Sequence, residues 1–336
     1  MKKVFIALAA VAALAACTKS EVEYTPAGEI GFSPITENVT KSMLTDPAFP
    51  TGENFNVWAW YKQLPAGTTI ADWQTSAATQ QEYISDKPFT HRENSKWGGV
   101  TPYYWPKLGS LMFAGHYPSD IKTNNADATV VYTFNSSNNK MIFSNIRQTT
   151  VKTSGSSEDI MYFNMTPTSL SSNDVKVVFK HALSWITVNV RKTEDSPKIV
   201  INNIKFTEVN PLGEGTVDNQ KLIEWETKGS KVNTDDFDTV FGTSVTLEEE
   251  YSTLPEHLFI PQTMAGELVI EYTVYSSETE HFSETYKKTL SGLKAELDTW
   301  APSKHYTYNI EIGTTEILIA PTVTPWEEVT VAVPVQ

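Results

Sequence analysis

Residues 175–190 read VKVVFKHALSWITVNV, and this stretch indicates the fold class of the chain. Apolar residues recur at every second position in both of its halves, and this alternation is typical of strands that bury one face. The alternating residues are Val175, Val177 and Phe179 in the first half and Ile186, Val188 and Val190 in the second. The stretch therefore predicts two short strands in succession.

Segments of the same character lie on both sides of this stretch. They cover residues 29–32, 55–61, 111–118, 141–146, 159–166, 199–206, 257–262, 267–277, 305–312 and 316–323. The linkers between them carry Pro, Gly, Ser and Asn, as in LPAGTT at 64–69, which is typical of turns in all-β proteins. Only short stretches, such as residues 291–297, favour a helix. The pattern predicts about seven strands in each half, the count of a two-sheet sandwich.

The length of the chain predicts two domains in tandem. A polar cluster of turn-forming residues, TSLSSND, occupies residues 168–174 and divides the strand-rich regions. We therefore expect one β-sandwich domain over residues 29–173 and a second over residues 174–336.

The first residues have the composition of an export signal. Two lysines precede an apolar run of 11 residues, Val4 to Leu14, which is too short to span a bilayer as a helix. Small residues follow and lead to Cys17, the only cysteine of the chain. The stretch looks like a bacterial lipoprotein box, which implies cleavage after Ala16 and acylation of Cys17. The alternative is an ordinary signal that is followed by a chance cysteine. If Cys17 is acylated, residues 17–28 form a polar, lipidated tether.

The chain shows no motif of catalysis or cofactor binding. Its net charge is −14 and it has no basic stripe, so we expect no nucleic-acid partner. Six scattered histidines form no compact ligand pair, and no nucleophile elbow, P-loop or dinucleotide fingerprint is present. The sequence predicts a protein that is not an enzyme and that needs neither metal nor cofactor. His181, within an apolar segment, is expected to be a hydrogen-bonded core histidine.

Aromatic residues are concentrated in the first half of the chain. They include Trp58, Trp60, Tyr61, Trp73, Trp97, Tyr103, Tyr104 and Trp105. Large rings suit the core of a sandwich, and their spacing favours that interpretation. The alternative is a surface glycan-binding lipoprotein in which Trp97, Tyr103 and Trp105 form an exposed sugar platform.

The segment EEVTVAVPVQ at residues 327–336 has the pattern of a strand with one buried face. Its alternating apolar residues are Val329, Val331, Val333 and Val335. Pro334 has no amide hydrogen to donate to a ladder. This strand pairs either within its own chain or with another chain, and the pattern alone does not decide between them.

Taken together, these segments resemble the fimbrillin family, the subunits of the type V pili of Bacteroidetes. The resemblance runs over nearly the whole chain and rests on the order and spacing of its pieces. They are the lipoprotein box at Cys17, EIGF followed by VTKS, NFNVWAWY, YYWPKLGSLMFAGHYP, DIMYFNMT, VVFKHALSWITVNV, HLFIPQT, HYTYNIEI and TVTPWEEV.

The resemblance implies two β-sandwich domains of transthyretin-like topology, no enzymatic activity and a particular route of assembly. The precursor is exported as a lipoprotein to the outer membrane and cell surface. A protease removes the first strand, with Ile30 and Phe32, and the open groove receives the C-terminal strand of the next pilin subunit. That donor strand would carry the four alternating valines.

Lys41 is the processing site that the resemblance favours, since it follows the first strand and lies among polar residues. The alternative is an ordinary surface lysine. Because an arginine-specific protease would require arginine here, an uncleaved anchor or assembly subunit of the pilus is a further alternative to a shaft subunit of the fimbrium.

Overall fold

The computed structural model describes most of the chain after the export signal. The described residues are 28–36, 49, 51–92, 96–121, 128–134, 139–147, 149–150, 159–164, 168–169, 174–218, 222–234, 241, 244–275, 281–289, 298–313 and 317–325. Regular structure in these ranges is almost entirely β, so the predicted all-β class is confirmed. The segment 291–297, in which the sequence allows a helix, lies outside the described residues.

Among its described residues, the first half contains eleven strands, more than the roughly seven that the sequence predicts, and one short helix. The strands are β1 (Gly31–Thr36), β2 (Phe55–Lys62), β3 (Gln81–His91), β4 (Trp97–Gly99), β5 (Ser110–Tyr117), β6 (Thr129–Phe134), β7 (Asn139–Arg147), β8 (Thr149–Thr150), β9 (Met161–Asn164), β10 (Thr168–Ser169) and β11 (Val175–His181). The helix α1 (Ile70–Thr75) begins at a capping box in which Thr69 and Asp72 bond each other's backbone amides.

The part of the second half that the structure describes contains thirteen strands. They are β12 (Ser184–Lys192), β13 (Lys198–Phe206), β14 (Leu212–Asp218), β15 (Glu224–Lys228), β16 (Val245–Thr246), β17 (Ser252–Thr253), β18 (His257–Phe259), β19 (Gln262–Thr263), β20 (Glu267–Tyr275), β21 (His281–Thr289), β22 (Thr299–Trp300), β23 (Lys304–Ile312) and β24 (Ile317–Pro325).

The main sheet of the first half closes on itself. Its strands follow the order β5-β2-β3-β4-β1-β11-β9, and β9 pairs again with β5. Strand β10 is added beside β5. Alternate side chains from the opposing walls meet inside and form one core, as in a sandwich whose edges are joined. This core contains Ile30, Phe32, Phe49, Phe55, Val57, Phe89, Phe113, Phe163, Val177 and Phe179, among other residues.

The second half is an open sandwich of two sheets. One sheet has the order β24-β23-β12-β18-β8, with β17 also paired to β12, and the other has the order β16-β13-β20-β21. Strand β23 pairs in parallel with β12 over nine residues and antiparallel with β24 over nine. The inner faces bury the alternating residues that the sequence predicts, including Ile186, Val188 and Val190. The two-sheet arrangement is therefore observed here.

A third sheet joins the two halves. Its order is β15-β14-β7-β6, and β7 of the first half pairs with β14 of the second. Trp58 and Trp60, on the outer face of β2, pack in a cluster with Phe143 of β7 and Val217 of β14. The domain boundary between residues 173 and 174 stays a prediction, and β11, which follows it, lies in the closed sheet.

Within the described part of the chain, no helix has the length and apolar character to cross a membrane.

Candidate strand-binding site

Strand β1 lies inside the closed sheet, between β4 and β11. It pairs in parallel with β11 from Phe32 opposite Val175 to Thr36 opposite Phe179. On its other side, Gly31 and Phe32 pair antiparallel with β4. Just before the strand, the amide of Ile30 donates to the carbonyl oxygen of Tyr103 at 2.7 Å. The segment 28–36 thus lies between two other parts of the sheet, with β4 on one side and β11 on the other.

The side chains of this segment alternate as the sequence predicts. Ile30, Phe32 and Pro34 are buried, whereas the side chain of Ile35 is 45% exposed. Beyond Phe32, β11 is the one partner of the strand among the described residues. Pro34 has no amide hydrogen to contribute to that ladder. Burial of Ile30, Phe32 and Pro34 therefore adds to the pairing that holds β1 in place.

Phe32 occupies the centre of the core. Its ring centroid lies 5.0 Å from that of Phe89 and 5.2 Å from that of Phe113, both in edge-to-face geometry. Phe55 and Phe163 complete the enclosure at 6.0 and 6.1 Å. We call the space enclosed by these four rings the Phe32 subsite. Edge-to-face aromatic pairs at these distances stabilise a core beyond the area that they bury.

A side chain at the position before Phe32 would press on a neighbouring carboxylate. A Cβ atom at Gly31 would lie 2.7 Å from Asp174 Oδ1, and Asp174 is itself held by Lys96 Nζ at 3.0 Å. A larger residue would therefore have to displace an ion-paired carboxylate. A second ion pair joins Glu29 to Arg92 at 2.8 Å, at the start of the segment.

Phe49 belongs to the same core but stands on the other side of Lys41 in the chain. Its ring packs against Phe55, Trp97, Tyr117 and Phe179 at centroid distances of 5.0–5.8 Å. A cut after Lys41 would thus separate Ile30 and Phe32 from the rest of the chain and leave Phe49 attached. The other sites predicted from the sequence lie outside the described residues: Ala16, Cys17, Lys41, Val329, Val331, Val333 and Val335.

The tryptophans of the proposed sugar platform are buried. Trp97 is 5% exposed and packs on the ring of His91, while Trp105 is 3% exposed and packs edge-on against Phe113. Tyr103 is partly buried and stacks on Phe89, whereas the neighbouring Tyr104 is exposed. These rings do not present the flat outer surface that stacking on a sugar requires, so the exposed platform is wrong. The interpretation of these residues as core agrees with the structure.

Two titratable pairs of the interior make hydrogen-bonding contacts within the fold. His181 Nδ1 lies 2.6 Å from Asp159 Oδ2, and both side chains are 1% exposed, which is the hydrogen-bonded core histidine that the sequence predicts. His116 Nε2 lies 3.3 Å from Asp86 Oδ1 beside a surface cavity of about 330 Å³. Burial opposes ionisation of Asp86, but its hydrogen bonds with His116 and Asn56 hold its pKa below the ordinary value. No group of three metal-ligating side chains occurs among the described residues.

Some features of the site were missed by the sequence reasoning. The parallel pairing of β1 with β11 has no local signal, because the two strands are more than 130 residues apart in the chain. Phe49 stands alone among turn-forming residues, and no alternation marks it as core. Gly31 could have been identified as a position where another group lies close to the backbone, since glycine inside a strand often marks such a position.

The fold and this site define an all-β protein whose first core is completed by a short strand from the start of the chain. The sequence model described as fimbrillin-like matches residues 40–326. The chain therefore belongs to the fimbrillin-like family.

Solved structures with a similar fold come from Bacteroides species. The chain is similar to a fimbrial protein from Bacteroides vulgatus ATCC 8482, with a TM-score of 0.59 and 14% identity, over 89% of this chain and 99% of that one. It is also similar to a candidate cell adhesion protein from Bacteroides uniformis ATCC 8492, with a TM-score of 0.50 and 13% identity, over 89% and 99% of the chains. At these identities the likeness shows the fold. None of the curated proteins matches the chain.

Proposed function

We propose that this protein is a structural subunit of a type V pilus on the bacterial surface, which polymerises by exchange of a β-strand and thereby supports adhesion. The observation that carries the proposal is the position of β1. A six-residue strand supplies the central aromatic of the first core, and it pairs with β4 and β11 on its two sides. Family membership and the fold shared with a fimbrial protein support it.

Removal of β1 would open a groove with a strong tendency to bind another strand. The backbone groups of β4 and β11 would lose their partners, and unpaired strand edges recruit strands from other chains. The apolar pockets of Ile30 and Phe32 would be exposed at the same time. Main-chain pairing would then provide affinity, and alternate side chains would fix the register.

The segment from Val329 to Val335 is the donor in this proposal. It spans about 20 Å at roughly 3.4 Å per residue, enough to cover the groove. Each buried valine would contribute ~1.5–3 kcal/mol before the cost of ordering the strand. Because donor and groove are different surfaces of one subunit, the contact is head-to-tail and builds an open filament.

The proposed route to the surface begins at the export signal. Cleavage after Ala16 and acylation of Cys17 would hold the precursor at the outer membrane. A protease cut after Lys41 would then release the segment that contains β1 and start polymerisation. Pilin subunits of the same or another kind are the partners in this proposal, and the subunit has no enzymatic role.

The experiment is N-terminal sequencing of protein extracted from the cell surface, combined with deletion of Val329 to Gln336. The proposal expects a mature start at Ser42 and a loss of filaments, while the deleted chain remains a folded monomer. A matched control replaces Thr330 and Ala332, on the opposite face of the donor, with serine, and filaments should persist. Pili of normal length after the deletion would overturn the proposal.

An uncleaved anchor or assembly subunit is the second candidate. It is favoured by lysine, in place of arginine, at residue 41. Under this alternative, sequencing would find a blocked, acylated Cys17 in the surface-extracted protein, and β1 would stay in the sheet.

A further inference from the structure

We propose that the Phe32 subsite selects a donor strand that carries an aromatic side chain, so that the preferred donor comes from a different subunit and not from the tail of this chain. This inference rests on the proposed function, since it concerns the strand that replaces β1. It adds the chemistry that the incoming partner must have.

The native occupant of the subsite defines what fits there. Phe32 is fully buried, and four phenylalanine rings enclose it at centroid distances of 5.0–6.1 Å. Three of those contacts are edge-to-face. A smaller side chain in the same place would lose these ring contacts and leave a cavity, because a packed core relaxes only partly around a missing group.

The alternating face of residues 329–335 brings only valine to the subsite. Its apolar face consists of Val329, Val331, Val333 and Val335, so a shift of register by two residues exchanges one valine for another. The opposite face of residues 328–334 carries Glu328, Thr330, Ala332 and Pro334, which suit an apolar pocket less. In every register of residues 328–335, the tail of this chain therefore leaves part of the subsite empty.

The neighbouring position adds a second requirement. A strand that takes the place of β1 in the same direction puts the preceding residue where Gly31 stands, against the Asp174 carboxylate. That position needs glycine or another very small residue. The preferred donor thus reads large apolar, small, aromatic, any residue, apolar, as Ile30 to Pro34 does. In this chain, Val331-Ala332-Val333 meets every requirement except the aromatic one.

The experiment measures displacement of a labelled strand. The full chain receives a site-specific protease sequence in place of residues 38–44 and is cut there. A fluorescent peptide of residues 28–36 is exchanged into the groove, and unlabelled peptides compete with it. The competitors are the peptide of residues 28–36, its Phe32→Val variant, the tail peptide of residues 328–336, and its Val333→Phe variant. The matched control is Ala332→Phe, which adds the same ring to the opposite face of the tail.

The inference expects Phe32→Val to weaken the first peptide at least tenfold and Val333→Phe to strengthen the tail at least tenfold, while Ala332→Phe does not strengthen it. Equal binding of the paired peptides, or equal gains from the two ring additions, would overturn the inference and leave the proposed function intact. If the 28–36 peptides compete as expected but no tail peptide does, the subsite preference stands and the donor role of the tail fails. If no peptide of residues 28–36 competes, both fail.

Discussion

The two halves of the molecule complete their cores in different ways. In the second half, Tyr308 lies at the centre of a strand that pairs over nine residues with a neighbour on each side. In the first half, Phe32 lies on a strand that pairs over five residues with β11 and over two with β4. Both side chains are fully buried. The second core is thus held by long ladders, whereas the first depends on one short segment near the start of the chain.

This difference indicates which strand can be lost while the other strands of its sheet stay paired. Loss of β23 would break the middle of a sheet and separate β12 from β24. Loss of β1 would open the closed sheet at one place, and β4 and β11 would still be paired on their other sides with β3 and β9. A strand with few ladder bonds and large buried side chains is replaceable by another strand with similar side chains.

The largest expected effect comes from removing the central ring of the first core. Phe32→Ala should lower the free energy of unfolding by about 3–5 kcal/mol, because it leaves a cavity among four phenylalanines. The measurement is equilibrium unfolding in urea of the uncut chain. Ile35→Ala, on the exposed side of the same strand, is the control and should change stability by about 0.5 kcal/mol or less. Equal losses would contradict a core centred on Phe32.

The second effect tests the other half through pH. His305 stacks on Trp185 with ring centroids 3.8 Å apart, and burial lowers the pKa of His305 to about 4. The unfolded chain takes up this proton near pH 6.5, and the folded protein takes it up only near pH 4. The contribution of His305 to the free energy of unfolding is therefore fully present above pH 7 and is lost as the pH falls from about 6.5 to about 4. The loss approaches about 3 kcal/mol at pH 4.

The measurement compares urea unfolding of the wild type and His305→Gln at pH 7, 5.5 and 4. The wild type should lose more stability than the variant over this range, since other groups titrate equally in both. A variant slope equal to that of the wild type would show that His305 does not titrate on unfolding.

The smallest effect concerns the ion pair at the start of the β1 segment. Glu29→Gln removes the partner of Arg92, and both side chains are about one third exposed. We expect the binding free energy of the 28–36 strand to weaken by only ~0.2–1 kcal/mol, and this loss should shrink as salt is raised. The measurement is release of the labelled 28–36 peptide, with and without the substitution, at low and high salt. A loss as large as that of Phe32→Ala would mean that charge, and not ring packing, holds the strand.

The local patterns predicted the strands well and their partners poorly. Alternation in VKVVFKHALSWITVNV identified β11 and β12 and their buried faces, because burial of one face imposes period two on the sequence. The same pattern did not indicate that these consecutive strands lie in different sheets. It also gave no sign of α1, whose six residues are too few to show a helical period.

The site was predicted in part for the same reason. Ile30 and Phe32 could be assigned to one face of a strand, and His181 to the core, from their neighbours in the sequence. For Trp97 and Trp105, the spacing favoured the core but left the exposed platform as an alternative, because their packing on Phe49 and Phe113 depends on the tertiary structure. The enclosure of Phe32 by four rings comes from strands that are far apart in the chain.

The sequence by itself determined the all-β class, the position of about half of the described strands and the side chains that those strands bury. Those properties depend on neighbours two residues apart. Only the tertiary structure decided that the first sheet closes on itself, that β1 runs parallel to β11, and that a third sheet joins the two halves. Pairing between distant strands depends on how all of the buried faces fit together, and no short stretch of sequence carries that information.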